Sequence, residues 1–132
     1  MKTLQVLAIS LLLSAAGTTL AGEVSYTCVV SHIYSLSEDG VLKVSNWEKE
    51  MKGSTFSVSR ITGEIVGEVV PTLMAKSIRV INTGSKDNSF KTVAVFEGQI
   101  QVLEVKEFYS SPTKPFISLS MGGAGLITGT CK

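Results

Sequence analysis

Phe90-Lys91-Thr92-Val93-Ala94-Val95-Phe96-Glu97-Gly98-Gln99-Ile100-Gln101-Val102-Leu103-Glu104-Val105-Lys106-Glu107-Phe108 is the stretch that decides the fold. Two runs rich in β-branched and aromatic residues, Phe90 to Phe96 and Ile100 to Phe108, flank the short break Glu97-Gly98-Gln99. Such side chains suit a pleated, half-buried surface, and a three-residue break containing glycine is of hairpin length, so the stretch predicts a central antiparallel hairpin. Within the second run the apolar parity moves from Ile100 and Val102 to Leu103 and Val105. Strict alternation places these four on two faces, so either both faces are covered or a bulge interrupts the strand.

Similar signals extend in both directions. Ser77 to Ile81 reads as strand and Asn82 to Asn88 as a loop of residues that tolerate left-handed backbone or bond to it. Phe56 to Ser59 and Glu64 to Val70 form a second hairpin around Thr62-Gly63, with Pro71 to Ala75 as a connection. Val24, Tyr26, Cys28 and Val30 alternate with Ser25, Thr27 and Ser31, a strand with one wet face, and Ser37-Glu38-Asp39-Gly40 turns the chain back into Val41 to Val44. Phe116 to Met121 and Leu126 to Cys131 complete the set, joined through Gly122-Gly123-Ala124-Gly125.

The one helical signal is Ser45 with Glu48 three residues later, a capping box opening a turn or two from Trp47 to Lys52. No long helix alternates with the strands, so parallel crossovers have no material. The fold class is therefore all-β: a small antiparallel meander of about eight strands, barrel-like or a sandwich, with one short helix and one closing disulfide. Barrel-like closure is favoured because a bond between Cys28 and Cys131 ties the first strand to the last.

Met1-Lys2 precedes an apolar run, Leu4 to Ala16, broken only by Gln5, Ser10 and Ser14 and too short to span a bilayer comfortably. With Thr19 and Ala21 at −3 and −1, residues 1–21 read as a cleaved signal peptide and 22–132 as a single β-rich domain, periplasmic or secreted. Glu23 stands where a lipid-anchored protein has cysteine, so no stable membrane anchor is expected. Loss of Lys2 takes the basic residues from 12 to 11, against 11 acidic ones. Near-zero net charge directs the chain to neither nucleic acid nor anionic membrane.

In an exporting compartment Cys28 and Cys131 should pair. One histidine and two cysteines fall short of a zinc ligand set, and no cofactor motif is present. His32, the one imidazole, continues by parity the apolar face of Val24 to Val30, which would set it with Tyr34 at the mouth of a core or pocket. Glu48 with Glu50, and Glu104 with Glu107, read as solvated carboxylates rather than an acid–base pair, because Glu48 serves the cap and lysines stand beside the others. Arg60 and Arg79 fit the wet face of a strand. No nucleophile elbow and no catalytic residue can be assigned.

The expectation is a small non-enzymatic binding or accessory domain with a protein partner. Its candidate interaction surface is Trp47 together with Met121, Gly122, Gly123 and Gly125, since exposed Trp and Met favour contacts and glycine permits close approach. The competing reading of Trp47 packs it inward against one end of the β structure. A barrel carrier of a small apolar ligand is the alternative, and a hydrolase built on His32 ranks last.

Overall fold

The computed structural model describes residues 24–121 and 125–132; residues 1–23, with the segment read as a signal peptide, and Gly122, Gly123 and Ala124 lie outside them. In chain order the elements are β1 (Ser25–Leu36), β2 (Leu42–Val44), α1 (Glu48–Met51), β3 (Thr55–Ser59), β4 (Ile65–Gly67), β5 (Ser77–Thr83), β6 (Phe90–Val95), β7 (Ile100–Val105), β8 (Lys114–Met121) and β9 (Gly125–Cys131). All strands join one antiparallel sheet ordered β4-β3-β1-β9-β8-β7-β6-β5, with β2 paired to β1 off that path. Every neighbour is a chain neighbour except β1 with β9 and β3, where β2 and α1 step aside. The sheet curls into a half-barrel, and its two edges, β4 and β5, are consecutive in sequence.

The first and last strands therefore meet in the middle of the sheet, and the open seam lies elsewhere. Cys28 stands opposite Cys131 in the β1–β9 register, and the two sulfurs are bonded. Next to them Thr27 and Lys132 exchange both backbone hydrogen bonds, each at 2.9 Å. Gly129, between β1 and β8, has no room for a side chain: a Cβ there would collide with the Val29 carbonyl and the Phe116 ring.

Alternation sorts the faces. Tyr26, Cys28 and Val30 of β1, Phe56 and Val58 of β3, Phe90 of β6, Leu103 and Val105 of β7, Phe116 of β8 and Ile127 of β9 point inward and are almost wholly buried. Phe56 meets the Phe116 ring edge-on at 5.1 Å between centroids, and Tyr26 tilts against Phe90 at 5.4 Å. Burying each such side chain contributes about 1.5 to 3 kcal/mol, which together is the force that curls the sheet.

The seam is spanned by side chains. At one end Arg60 reaches across from the β3–β4 turn, its Nη2 donating to the carbonyls of Thr83 (2.9 Å) and Gly84 (3.2 Å) at the end of β5. At the other end the 68–76 connection folds over the core. There Thr72 donates its amide to Ile65 (3.1 Å) and accepts from the Ile65 amide (2.8 Å), while Gln101 of β7 donates to the Val70 carbonyl (2.9 Å). Arg60, read from sequence as a wet-face residue, is thus a clasp.

The structure decides one open alternative and overturns one expectation. No bulge interrupts β7, whose register with β6 and β8 runs unbroken from Ile100 to Val105, so its apolar residues do face both ways. The capping box does not form: Ser45 accepts from the Trp47 amide at 3.2 Å, but the N-cap is Trp47 and the Glu48 side chain bonds elsewhere.

The disulfide closes a loop of sequence separation 103. Restricting the unfolded chain over that length is worth about 4 to 5 kcal/mol, so urea unfolding of the Cys28→Ala/Cys131→Ala protein should show a loss of that order. A loss below about 1 kcal/mol would place the stabilisation in the β1–β9 ladder alone.

Candidate functional site

His32 is the natural starting point, and the structure moves it. Val30 pairs with Gly129 but His32 pairs with Thr128, so Ser31 is an extra residue and the strand changes parity there. Ile33 turns into the core at 2% exposure, and His32 and Tyr34 face outward, their rings 6.0 Å apart. The predicted pocket mouth is corrected: parity extrapolated from Val24 to Val30 fails because a bulge resets it. His32 instead borders a shallow outer groove of about 610 Å³, with Ser31, Glu104, Lys106, Tyr109 and Ile117.

At the bulge β1 also changes partner, from β3 to β2, and the Ile33 amide is left without a strand beside it. Glu48, at the start of α1, fills the gap: its Oε2 accepts from Ile33 N at 3.0 Å and lies 3.6 Å from His32 Nδ1. Glu104 and Glu107 are similarly engaged. Glu107 accepts from the Tyr26 hydroxyl at 2.6 Å. Glu104 accepts from the Ser89 hydroxyl at 2.5 Å and from Lys106 Nζ at 2.9 Å, with Lys91 Nζ at 3.6 Å. The Ser89 hydroxyl first, and then Lys106, hold the Glu104 carboxyl below its ordinary range, against an opposing push from burial.

Residues directly opposite each other in an antiparallel ladder share a face. One outward row runs Val44–Tyr34–Leu126–Leu119–Val102–Val93 across β2, β1, β9, β8, β7 and β6, ending at Arg79 on β5. Beside it, at the same end of the strands, lies Met121–Ile100–Val95, and on the projecting hairpin Leu36 stands opposite Leu42. Leu36 is 70% exposed and Met121 60%. An outer face this apolar is unusual for a sheet whose inner face already forms the core. The next row, His32–Thr128–Ile117–Glu104–Lys91, is mostly polar and bounds it.

A second apolar feature sits at the seam. The Ala75 amide bonds the Thr72 carbonyl at 2.9 Å, closing a β-turn with Leu73 and Met74 at its centre. These side chains are 91% and 82% exposed. They stand beside a groove of about 410 Å³ between β4 and β5, lined by Ile65, Val66, Pro71, Thr72 and Ile78 among others.

Of the candidates from sequence, Trp47 is 62% exposed rather than packed against the core. Met121 belongs to the outer apolar face. Gly125 has a structural reason for being glycine: φ is +92° and a Cβ would strike the Tyr34 carbonyl. Gly122 and Gly123 lie outside the described residues. Leu73 and Met74 fall in the segment that reads as connection, where the only sequence signal is an apolar pair two and three residues after Pro71. Among the described residues no cluster of metal-ligating side chains occurs, and no helix is long and apolar enough to cross a membrane. Comparison with family models, curated proteins and solved structures found no match for the chain.

Glu48→Ala should lower stability by about 1 to 3 kcal/mol in urea unfolding, because the Ile33 amide loses its acceptor, and Glu48→Gln should recover most of the loss. An equal loss in both variants would mean that the negative charge, not the acceptor, matters. For Glu104 the lowered pKa means stabilisation that is complete above the unfolded carboxyl pKa and disappears as pH falls through the folded one. Glu104→Gln should therefore flatten the acid limb of stability below about pH 4.5, by less than about 1 kcal/mol because the site is wet. Wild-type and variant acid limbs of equal slope would contradict this.

Proposed function

We propose that this chain is an exported, non-enzymatic binding or accessory domain that engages a protein partner through the Leu73–Met74 turn. The observation that carries this reading is the near-complete exposure of two large apolar side chains on a turn whose base is fixed. Turn centres normally carry Gly, Asn, Asp or Ser, which adopt turn dihedrals readily or hydrogen-bond the local backbone, and Leu and Met do neither. Here the turn hangs from Thr72, buried and bonded to Ile65 through both its amide and its hydroxyl, so Leu73 and Met74 are held outward with little backbone freedom to lose on binding. A rigid convex knob of this chemistry suits a concave apolar pocket on a protein.

Export to the periplasm or the exterior is supported by the leader read over residues 1–21 and by the Cys28–Cys131 bond, which suits an oxidising compartment. Against a carrier of apolar ligands, the inward face is occupied by Tyr26, Phe56, Phe90, Leu103 and Phe116. Against a hydrolase, the carboxylates Glu48, Glu104 and Glu107 are taken up by a strand amide, a hydroxyl with two lysines, and a tyrosine.

Chemical cross-linking in intact cells should give an adduct of defined mass with another protein. The Leu73→Asp/Met74→Asp variant should lose it about tenfold while its thermal midpoint stays within about 2 °C, since neither side chain touches the core. Unchanged adduct yield in the variant, or adducts only between copies of this chain, would refute the turn as the docking element.

A further inference from the structure

The outer apolar face has no bearing on the turn at the seam, and it calls for a cover of its own. Ile100 and Val102 of β7 face outward while Leu103 and Val105 face the core, the pattern of a strand buried on both sides, yet the described chain covers only one. Beyond Tyr34, β1 and β2 extend as an arm. All three residues of β2 are exposed, and Leu36, Val41, Leu42 and Val44 are each at least half uncovered.

We propose that the cover is a second copy of this chain, in a two-fold dimer whose β1–β2 arms each lie across the outer β6–β8 face of the other copy. With exposures of 37% to 70% on Val95, Ile100, Leu119, Met121, Leu36, Leu42 and Val44, arm and face together leave roughly 650 Å² uncovered, at the low end of what each partner contributes to a specific interface and slightly above the largest patch usual on a monomer.

The band also complements itself. Its arm end carries the exposed acids Glu38 and Asp39, and its β5 end carries the outward-facing Arg79, in line with Val93. A two-fold axis between Leu126 and Leu119 runs the two bands antiparallel and sets each arm over β6 and β7 of the other copy, one strand from its Arg79. Asp39 already bonds Ser37 and lies 3.6 Å from Lys43, which leaves Glu38 as the carboxylate for Arg79. Between these ends the band carries no charge, so nothing opposes like meeting like.

Sedimentation equilibrium on the disulfide-bonded protein should show a concentration-dependent doubling of mass. Leu119→Lys should raise the dissociation constant about tenfold or more, and Leu36→Lys, on the arm and clear of the core, should do the same where Leu119→Lys folds poorly. Glu38→Arg and Arg79→Glu should each weaken the dimer several-fold, and the double variant Glu38→Arg/Arg79→Glu should return to within about twofold of the parent. A monomer at every concentration reached would overturn the proposal. So would a dimer indifferent to Leu119→Lys and Leu36→Lys, or single charge reversals that the double variant does not rescue.

Discussion

The pairing of β1 with β9 is the constraint on which the rest depends. A meander laid out in chain order has its first and last strands as free edges, and here they are joined at its centre by a ladder and by the Cys28–Cys131 bond. Once those edges are merged, the break must fall elsewhere, and it falls between β4 and β5. Everything at the seam follows from this: the Arg60 clasp, the segment folded over the core, Thr72 standing in as a strand partner, and the exposed turn beyond it.

A second constraint acts within β1 itself. Twelve residues pass through one sheet while the neighbour on one side changes from β3 to β2, and a strand cannot change neighbours without leaving backbone groups unpaired. Ser31 absorbs the extra length, and the Glu48 carboxylate supplies the missing acceptor to Ile33. This is why α1 sits between β2 and β3, and why a residue whose sequence position suggests a helix cap serves the strand. The same bulge turns His32 and Tyr34 outward and admits Ile33 to the core.

The two surfaces with most to say about binding, the outer apolar face and the Leu73–Met74 turn, are opposite in kind. One is a broad band made by ladder neighbours far apart in sequence, such as Tyr34 with Leu126 and Val102 with Leu119. The other is a pair of adjacent residues raised on a fixed base. The broad band suits an extended, symmetric contact, whereas the turn suits insertion into a pocket, and the two can be occupied together because they rest on different residues.

The sequence by itself determined most of the strands, their antiparallel pairing in hairpins and the short helix, because alternation, turn residues and β propensity act over a few neighbouring residues. It also pointed to the pairing of Cys28 with Cys131, and the apolar parity change in β7 left two readings, covered faces or a bulge, between which the unbroken register decides. What only the tertiary structure decided depends on contacts between distant segments. The bulge at Ser31 arises from competition between β2 and β3 for one strand, and no local pattern at His32 records it. The role of Glu48 depends on an amide 15 residues away. Arg60 reaches carbonyls more than 20 residues along the chain, across a seam that exists only once the sheet has curled. The exposure of Trp47, Leu73 and Met74 was likewise open, since an apolar residue in a connection can turn inward or outward, and the space left by the packed core decides which.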